Sequence, residues 1–182
     1  LDEFGVARAA IESCAENLSD GVIAPVLWYL AFGLAGLFAY KMLNTMDSMI
    51  GHLSPRYKAF GATAAKLDSL ANYIPARLTA ALIALAAIAT PEARPLAALK
   101  TVRRDAGKHR STNAGWPEAA MAGALGLALA GPRRYGERLV KDDWMGDGRA
   151  RATARDIRRA LYMTVLACAV NAALIAAGAV LI

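Results

Sequence analysis

Two runs without a formal charge, residues 21–40 (GVIAPVLWYLAFGLAGLFAY) and 160–182 (ALYMTVLACAVNAALIAAGAVLI), limit what this chain of 182 residues can become. At about 1.5 Å rise per residue, roughly 20 residues cross a hydrocarbon core of about 30 Å, so each run is long enough to span a membrane. In a water-soluble domain both would have to be buried on every side. Composition argues the same way: 57% of the residues are hydrophobic and 20% charged, where soluble domains average about 45–50% and 25%. Disorder and a disulfide scaffold are excluded, the first by the apolar content and the second because Cys14 and Cys168 are the only cysteines.

The formal charge of +6 is unevenly placed. Asp2, Glu3, Glu12, Glu16 and Asp20 face only Arg8 before the first apolar run, and the basic residues lie in the connections after it. Nucleic-acid binders gather cations on one face with aromatic rings between them, so no nucleic-acid partner is expected; cations in the connections match the positive-inside pattern of membrane proteins. Pro25 falls in the first turns of the first run, and Trp28, Tyr29 and Tyr40 supply interface-seeking rings.

Two shorter runs, 78–91 and 119–132, hold 14 residues each and reach only about 21 Å. The first is expected to span once its flanks extend it. The second stays open between a membrane segment and a buried helix, with Gly123, Gly126 and Gly131 suited to close helix contact. The expected fold is thus all-α, a polytopic helical membrane protein forming one domain over 1–182, with polar connections at 41–77, 92–118 and 133–159. Leu1 is not a start methionine and residues 1–21 lack a signal-peptide pattern, so a piece of a longer chain is expected.

Ionisable groups near lipid are costly, which turns attention to four polar segments. Arg8, Glu12, Glu16 and Asp20 follow one another at i+4 with Asn17 beside them, and like charges so stacked destabilise a helix unless a cation or ligand sits among them. Asn44, Asp47 and Ser48 share a helix face just after the first run and offer oxygen ligands suited to Mg²⁺ or a phosphate-bearing group. In the stretch 57–79, which begins at Tyr57, Asp68 and Asn72 stand one turn apart and Arg77 can snorkel or clamp an anion. Residues 100–118 combine Lys100, Arg103, Arg104, Lys108, His109 and Arg110 with a polar loop, 111–115, and a helix start at Trp116-Pro117-Glu118. That loop is expected to project His109, Asn113 and Glu118 towards a helix N-terminus, a ready anion site.

Three long stretches, AIESCAENLSDGVIAPVLW, NTMDSMIGHLSPRYKAFGATAAKLDSLANYIPARLT and HRSTNAGWPEAAMAGALGLALAGPRRYG, resemble in the same order the CobD/CbiB family of cobalamin biosynthesis proteins, the adenosylcobinamide-phosphate synthases. The chain departs from the family pattern at Thr112, where proline is expected, and at Ser69, where a second aspartate is common. The resemblance implies ATP-dependent ligation of aminopropanol or its phosphate to a carboxylate of adenosylcobyric acid. It also implies a multi-pass protein of the bacterial inner membrane, with the site at the cytoplasmic face. The implied catalytic residues are Asp47, Glu16, His109 and Glu118, and the implied binding residues Asn17, Asn44, Asp68, Asn72, Arg77 and Asn113. Glu12, Asp20 and Asp47 are the implied Mg²⁺ ligands. ATP is the co-substrate, with the corrinoid, aminopropanol-type molecules and the lipid bilayer as partners. Homo-oligomer formation or a missing N-terminal segment is left open.

From the residues alone, amide formation needs an activated acyl group, and hence oxygen ligands for Mg²⁺, cations for a phosphoryl group and a base or orienting group for the amine. No GxxxxGK[ST] loop is present, so a nucleotide site would be of an unfamiliar kind. A transferase with DxxDG and GxxxDxxxD carboxylates fits poorly, because Gly61, Asp68 and Asn72 give only a poor version of the second pattern and the first is absent. The non-enzymatic alternative is a membrane scaffold or sensory protein sharing the fold.

Overall fold

A computed structural model describes residues 2–51, 58–135 and 138–180. Tyr57, with the rest of 52–57, and Leu181 and Ile182 at the end of the last run lie outside the described residues. Helix α1 (Glu3–Asn17) starts on an N-cap in which Asp2 accepts the Gly5 amide at 2.7 Å. It runs into a π-helical turn, Leu18–Ile23, and then into α2 (Ala24–Ile50), with Pro25 in the first turn as expected. α3 (Lys58–Ala71), α4 (Tyr73–Ala86), α5 (Pro95–Asp105), α6 (Gly115–Leu125) and α7 (Ala154–Val180) follow.

The core is built on α4. Pro75, Ala76, Thr79, Ala80, Leu82 and Ile83 are all buried, and α5, α6, α7 and the π-helical turn pack around this helix. α6 is buried along its length except for Trp116; of the run 119–132 only the part to Leu125 is helical, and beyond Gly126 (φ 66°) the chain is extended. A Cβ on Gly123 would stand 2.5 Å from the Ala97 carbonyl, so α5 and α6 meet at the close approach expected of Gly123, whereas Gly126 and Gly131 (φ 75°) lie past the end of α6 in left-handed backbone. α7 begins with Thr153 donating its amide and its hydroxyl to Asp156, both at 2.8 Å.

Two stretches, Glu3–Ile50 and Ala154–Val180, are long and apolar enough to cross a membrane, and Gly61–Ala71 with Tyr73–Ala86, bent by 44°, makes a third if counted as one span. The fold is helical, with about three quarters of the described residues in helices. Its departure from a purely helical expectation is two short antiparallel pairs in and beside the connection 133–159. β1 (Leu129–Ala130) pairs with β4 (Trp144–Met145), and β2 (Arg133–Tyr135) with β3 (Arg138–Val140).

The first apolar run is not one straight rod. At Gly33 the backbone leaves the helical region (φ 63°, ψ −152°), a conformation that glycine adopts without steric cost. Beyond it α2 turns back along its own first arm: the rings of Trp28 and Tyr40 stack with centroids 6.4 Å apart. A Cβ on Gly36 would collide with the Trp28 carbonyl. Tyr40 is therefore wholly buried rather than an interface ring, which corrects its sequence reading.

Candidate functional site

The π-helical turn carries Asp20, and such wide turns occur mostly as single features, frequently at functional sites. Opposite it the returning arm of α2 carries Asn44, Asp47 and Ser48, α3 carries Asp68 and Ser69, and Asn72 stands at the start of α4. The loop after α5 closes the remaining side with Arg110, Ser111, Thr112 and Asn113. Together with Glu16 these residues line a hollow of about 410 Å³. An adjoining hollow of about 300 Å³ shares Glu16, Asp20, Asn44 and Ser48 and adds Asn17 and Lys41.

One hydrogen-bonded line fixes the floor. The Tyr40 hydroxyl, 2.9 Å from Asn72 Oδ1 and 3.0 Å from the Asp20 carbonyl, shares its proton between them. Asn72 donates from Nδ2 to Asp68 Oδ2 at 3.0 Å, and Asn44 donates more weakly to Asp68 Oδ1 at 3.4 Å. Asp68 is thus held by two amides, whereas the Asp47 carboxylate has no hydrogen-bond or ion-pair partner among the described residues. Glu16, Asp20, Asp47 and Asp68 make the hollow strongly negative, with Lys41 and Arg110 at its edges. Arg110 is itself paired with Asp142 at 2.7 Å.

A second line positions the loop. Arg77 is sandwiched between the rings of Tyr73 and Trp116, 3.5 and 4.3 Å from their centroids, and donates to the Tyr73 carbonyl and to Asn113 Oδ1. Asn113 donates in turn to the Ser69 carbonyl at 2.8 Å. Both ends of the Asn113 amide are therefore used to pin the loop to α3 and α4, and Arg77 supplies the clamp. The Ser111 amide donates to His109 Nδ1 at 3.0 Å, which leaves Nε2 facing the buried Glu118 carboxylate at 3.8 Å.

Of the residues singled out in the sequence, Glu16, Asn17, Asp20, Asn44, Asp47, Asp68, Asn72 and Asn113 come together around the two hollows. Arg77, His109 and Glu118 stand behind the loop and line neither hollow. Glu12 is elsewhere: its Oε1 accepts the Ala130 amide at 2.7 Å and ties α1 to β1. The grouping of Glu12, Asp20 and Asp47 as three ligands of one ion is corrected accordingly, and among the described residues no cluster of three or more His, Cys, Asp or Glu side chains could hold a metal by itself. Arg8 is also structural, donating to the Ala150 carbonyl at 2.7 Å and lying over Trp144. What the sequence reading missed is Tyr40; its place at the end of an apolar run, next to Lys41, was the available signal.

At the far end of α5, Arg104 and Lys108 hold Asp105 at 2.7 Å each, and Asp105 accepts the Gly146 amide at 2.8 Å. The Arg104 guanidinium in particular keeps this carboxyl well below the usual carboxylate range. This cluster fastens the loop side of the fold to β4.

A model of the CobD/Cbib protein family matches residues 1–164. The protein of Brucella suis biovar 1 called cobalamin biosynthesis protein CobD is 60% identical over 165 residues, 90% of this chain and 50% of the relative. Proteins of the same name from Rhizobium meliloti and Rhodobacter capsulatus are 56% and 49% identical, over 98% and 92% of this chain and 55% and 52% of theirs. The chain spans about half the length of the curated relatives it matches. No solved structure matches it.

Proposed function

The chain belongs to the CobD/Cbib protein family, and on that premise we propose that it serves cobalamin biosynthesis by an ATP-dependent amide ligation. In this reading aminopropanol, or its phosphate, is joined to a side-chain carboxylate of adenosylcobyric acid, giving adenosylcobinamide or its phosphate. The observation that supports it is the convergence of residues from all three family-like stretches on one polar hollow: Glu16 and Asp20 from the first, Asn44, Asp47, Asp68 and Asn72 from the second, Asn113 from the third.

The chemistry needs a carboxylate made reactive, commonly as an acyl phosphate, and then an amine placed against it. Asp47, Asp68 and Asn44 are hard oxygen donors, and Mg²⁺ is usually held by one or two carboxylates with substrate phosphates completing its shell. The donor set therefore fits this ion even though Glu12 takes no part. When bound there, Mg²⁺ would offset phosphate charge during phosphoryl transfer. Asp47, unpaired among the described residues, is the natural holder of that charge, with Asp68 aligned by Asn44 and Asn72. Arg110 and Lys41 lie where anionic oxygens would enter. Glu16 and Asp20, which line the adjoining hollow with Asn17, suit the ammonium end of an aminopropanol. His109, Glu118 and Arg77 position the loop rather than touch substrate.

A hollow of about 410 Å³ admits a corrinoid side chain and a nucleotide's phosphates but not the macrocycle, which would rest outside at the membrane surface. The protein then works in the cell membrane with this mouth at the cytoplasmic face, near its soluble substrates. The test is product formation by the detergent-solubilised protein from a cobyric acid substrate. Amide product that requires both ATP and Mg²⁺ is expected. Equal product without nucleotide would remove the acyl-phosphate step, and no corrinoid binding at all would favour the scaffold or sensory alternative.

A further inference from the structure

We infer that residues 21–40 form a re-entrant hairpin, entering one leaflet of the bilayer and returning to the face they came from, with the hydrocarbon of that leaflet as the partner of the hairpin's outer surface. A straight helix would hold residues 20 and 40 about 30 Å apart. Instead the Tyr40 hydroxyl lies 3.0 Å from the Asp20 carbonyl, with the break between the arms at Gly33. The arm 24–32 is nine residues long, about 13 Å, against about 15 Å for half of a hydrocarbon core.

The surface of the hairpin fits that medium. Tyr29, Leu30, Phe32, Leu34 and Phe38 are between 48% and 64% exposed, and no charged side chain interrupts them between Gly21 and Tyr40. The first charges on either side, Asp20 and Lys41, line one and the same hollow, so both ends of the uncharged run open at a single mouth. In consequence α1 and the chain after Lys41 lie on the same side, and the polar hollow sits at the membrane surface on that side.

The inference is independent of the proposed reaction and is tested by thiol accessibility. In a Cys14→Ser, Cys168→Ser background, Gly21→Cys, Lys41→Cys and Leu34→Cys are reconstituted singly and exposed to a membrane-impermeant maleimide, in vesicles of each orientation. Carbonate extraction confirms insertion, and if Gly21→Cys fails to insert, Asn17→Cys, exposed one turn earlier, takes its place. Modification of the Gly21 and Lys41 positions from the same side, with the Leu34 position protected from both, is expected. Modification of the two end positions from opposite sides would establish a straight span. Ready modification at position 34 from either side would show a hairpin standing in water; each result overturns the inference.

Discussion

Tyr40 and Asn72 meet hydroxyl to amide at 2.9 Å, and through Asn72 the contact reaches Asp68, so the last residue of an apolar run is joined to a carboxylate of the polar hollow. The bond does two jobs. It holds the returning arm of α2 against α3 and α4, and it fixes which face of Asn72 is turned to Asp68.

Replacing Tyr40 with Phe keeps the ring against Trp28 but removes the proton shared by the Asp20 carbonyl and Asn72 Oδ1. Leaving a buried acceptor without its donor costs about 1–3 kcal/mol. The expected outcome is a lower unfolding temperature in detergent together with weaker ligand binding. An unchanged melting curve would show that the Tyr40 hydroxyl contributes nothing to the floor of the site.

Arg77→Lys retains the positive charge but gives up the planar stack between Tyr73 and Trp116 and the directed bond to Asn113. A stacked cation of this kind is worth about 0.5–2 kcal/mol. Faster proteolysis of the loop around Asn113 and a lower melting temperature are expected, because Arg77 acts as a clamp. If stability held and only nucleotide affinity fell, Arg77 would be an anion ligand instead.

Asp105 sets an acid limit on stability. Arg104, first among its partners, holds the folded-state pKa below the unfolded value of about 3.9. A depressed carboxyl contributes stability that is fully present above the unfolded pKa and is lost as pH falls through the folded one. Melting temperature should therefore be level near neutrality with respect to this group and decline below about pH 4, and Asp105→Asn should flatten that decline while lowering the plateau. Superimposable pH profiles of the two proteins would contradict the assignment.

Much of this was legible in the residues, and the reasons for the rest are physical. Spacing of i, i+3 and i+4 put Asn44 with Asp47, and Asp68 with Asn72, on shared faces because helix periodicity is local, and the structure keeps both pairs at the hollow. Gly123 read as a close helix approach for the same local reason, the absence of a Cβ. The turn at Gly33 left no comparable trace, since an apolar run reads alike whether it is straight or folded back, and a lone glycine is tolerated within a helix. Glu12 looked equivalent to Glu16 along the i+4 series. What separates them is Ala130, a partner 118 residues away that no local pattern reveals. His109 and Glu118 were placed towards the site by their loop, yet the direction of a loop is set by tertiary contacts, here the Arg77 and Asn113 clamp.

The central claim is that the hollow framed by Asp47, Asp68 and Asn44 is where a phosphate-bearing group and its ion are held, and turnover of Asp47→Asn against Lys141→Gln measures it most directly. Asp47→Asn preserves size and hydrogen bonding while removing the charge, and Lys141 is an exposed residue in the connection before α7. With both proteins folded and inserted in the membrane, Asp47→Asn is expected to lose about 10²-fold or more in turnover, the scale of one preorganised electrostatic group. Lys141→Gln is expected to stay near the parent protein, with stability changed by no more than about 0.5 kcal/mol. Equal activity of the two variants would contradict the account and show Asp47 to be a polar cap at the end of a helix.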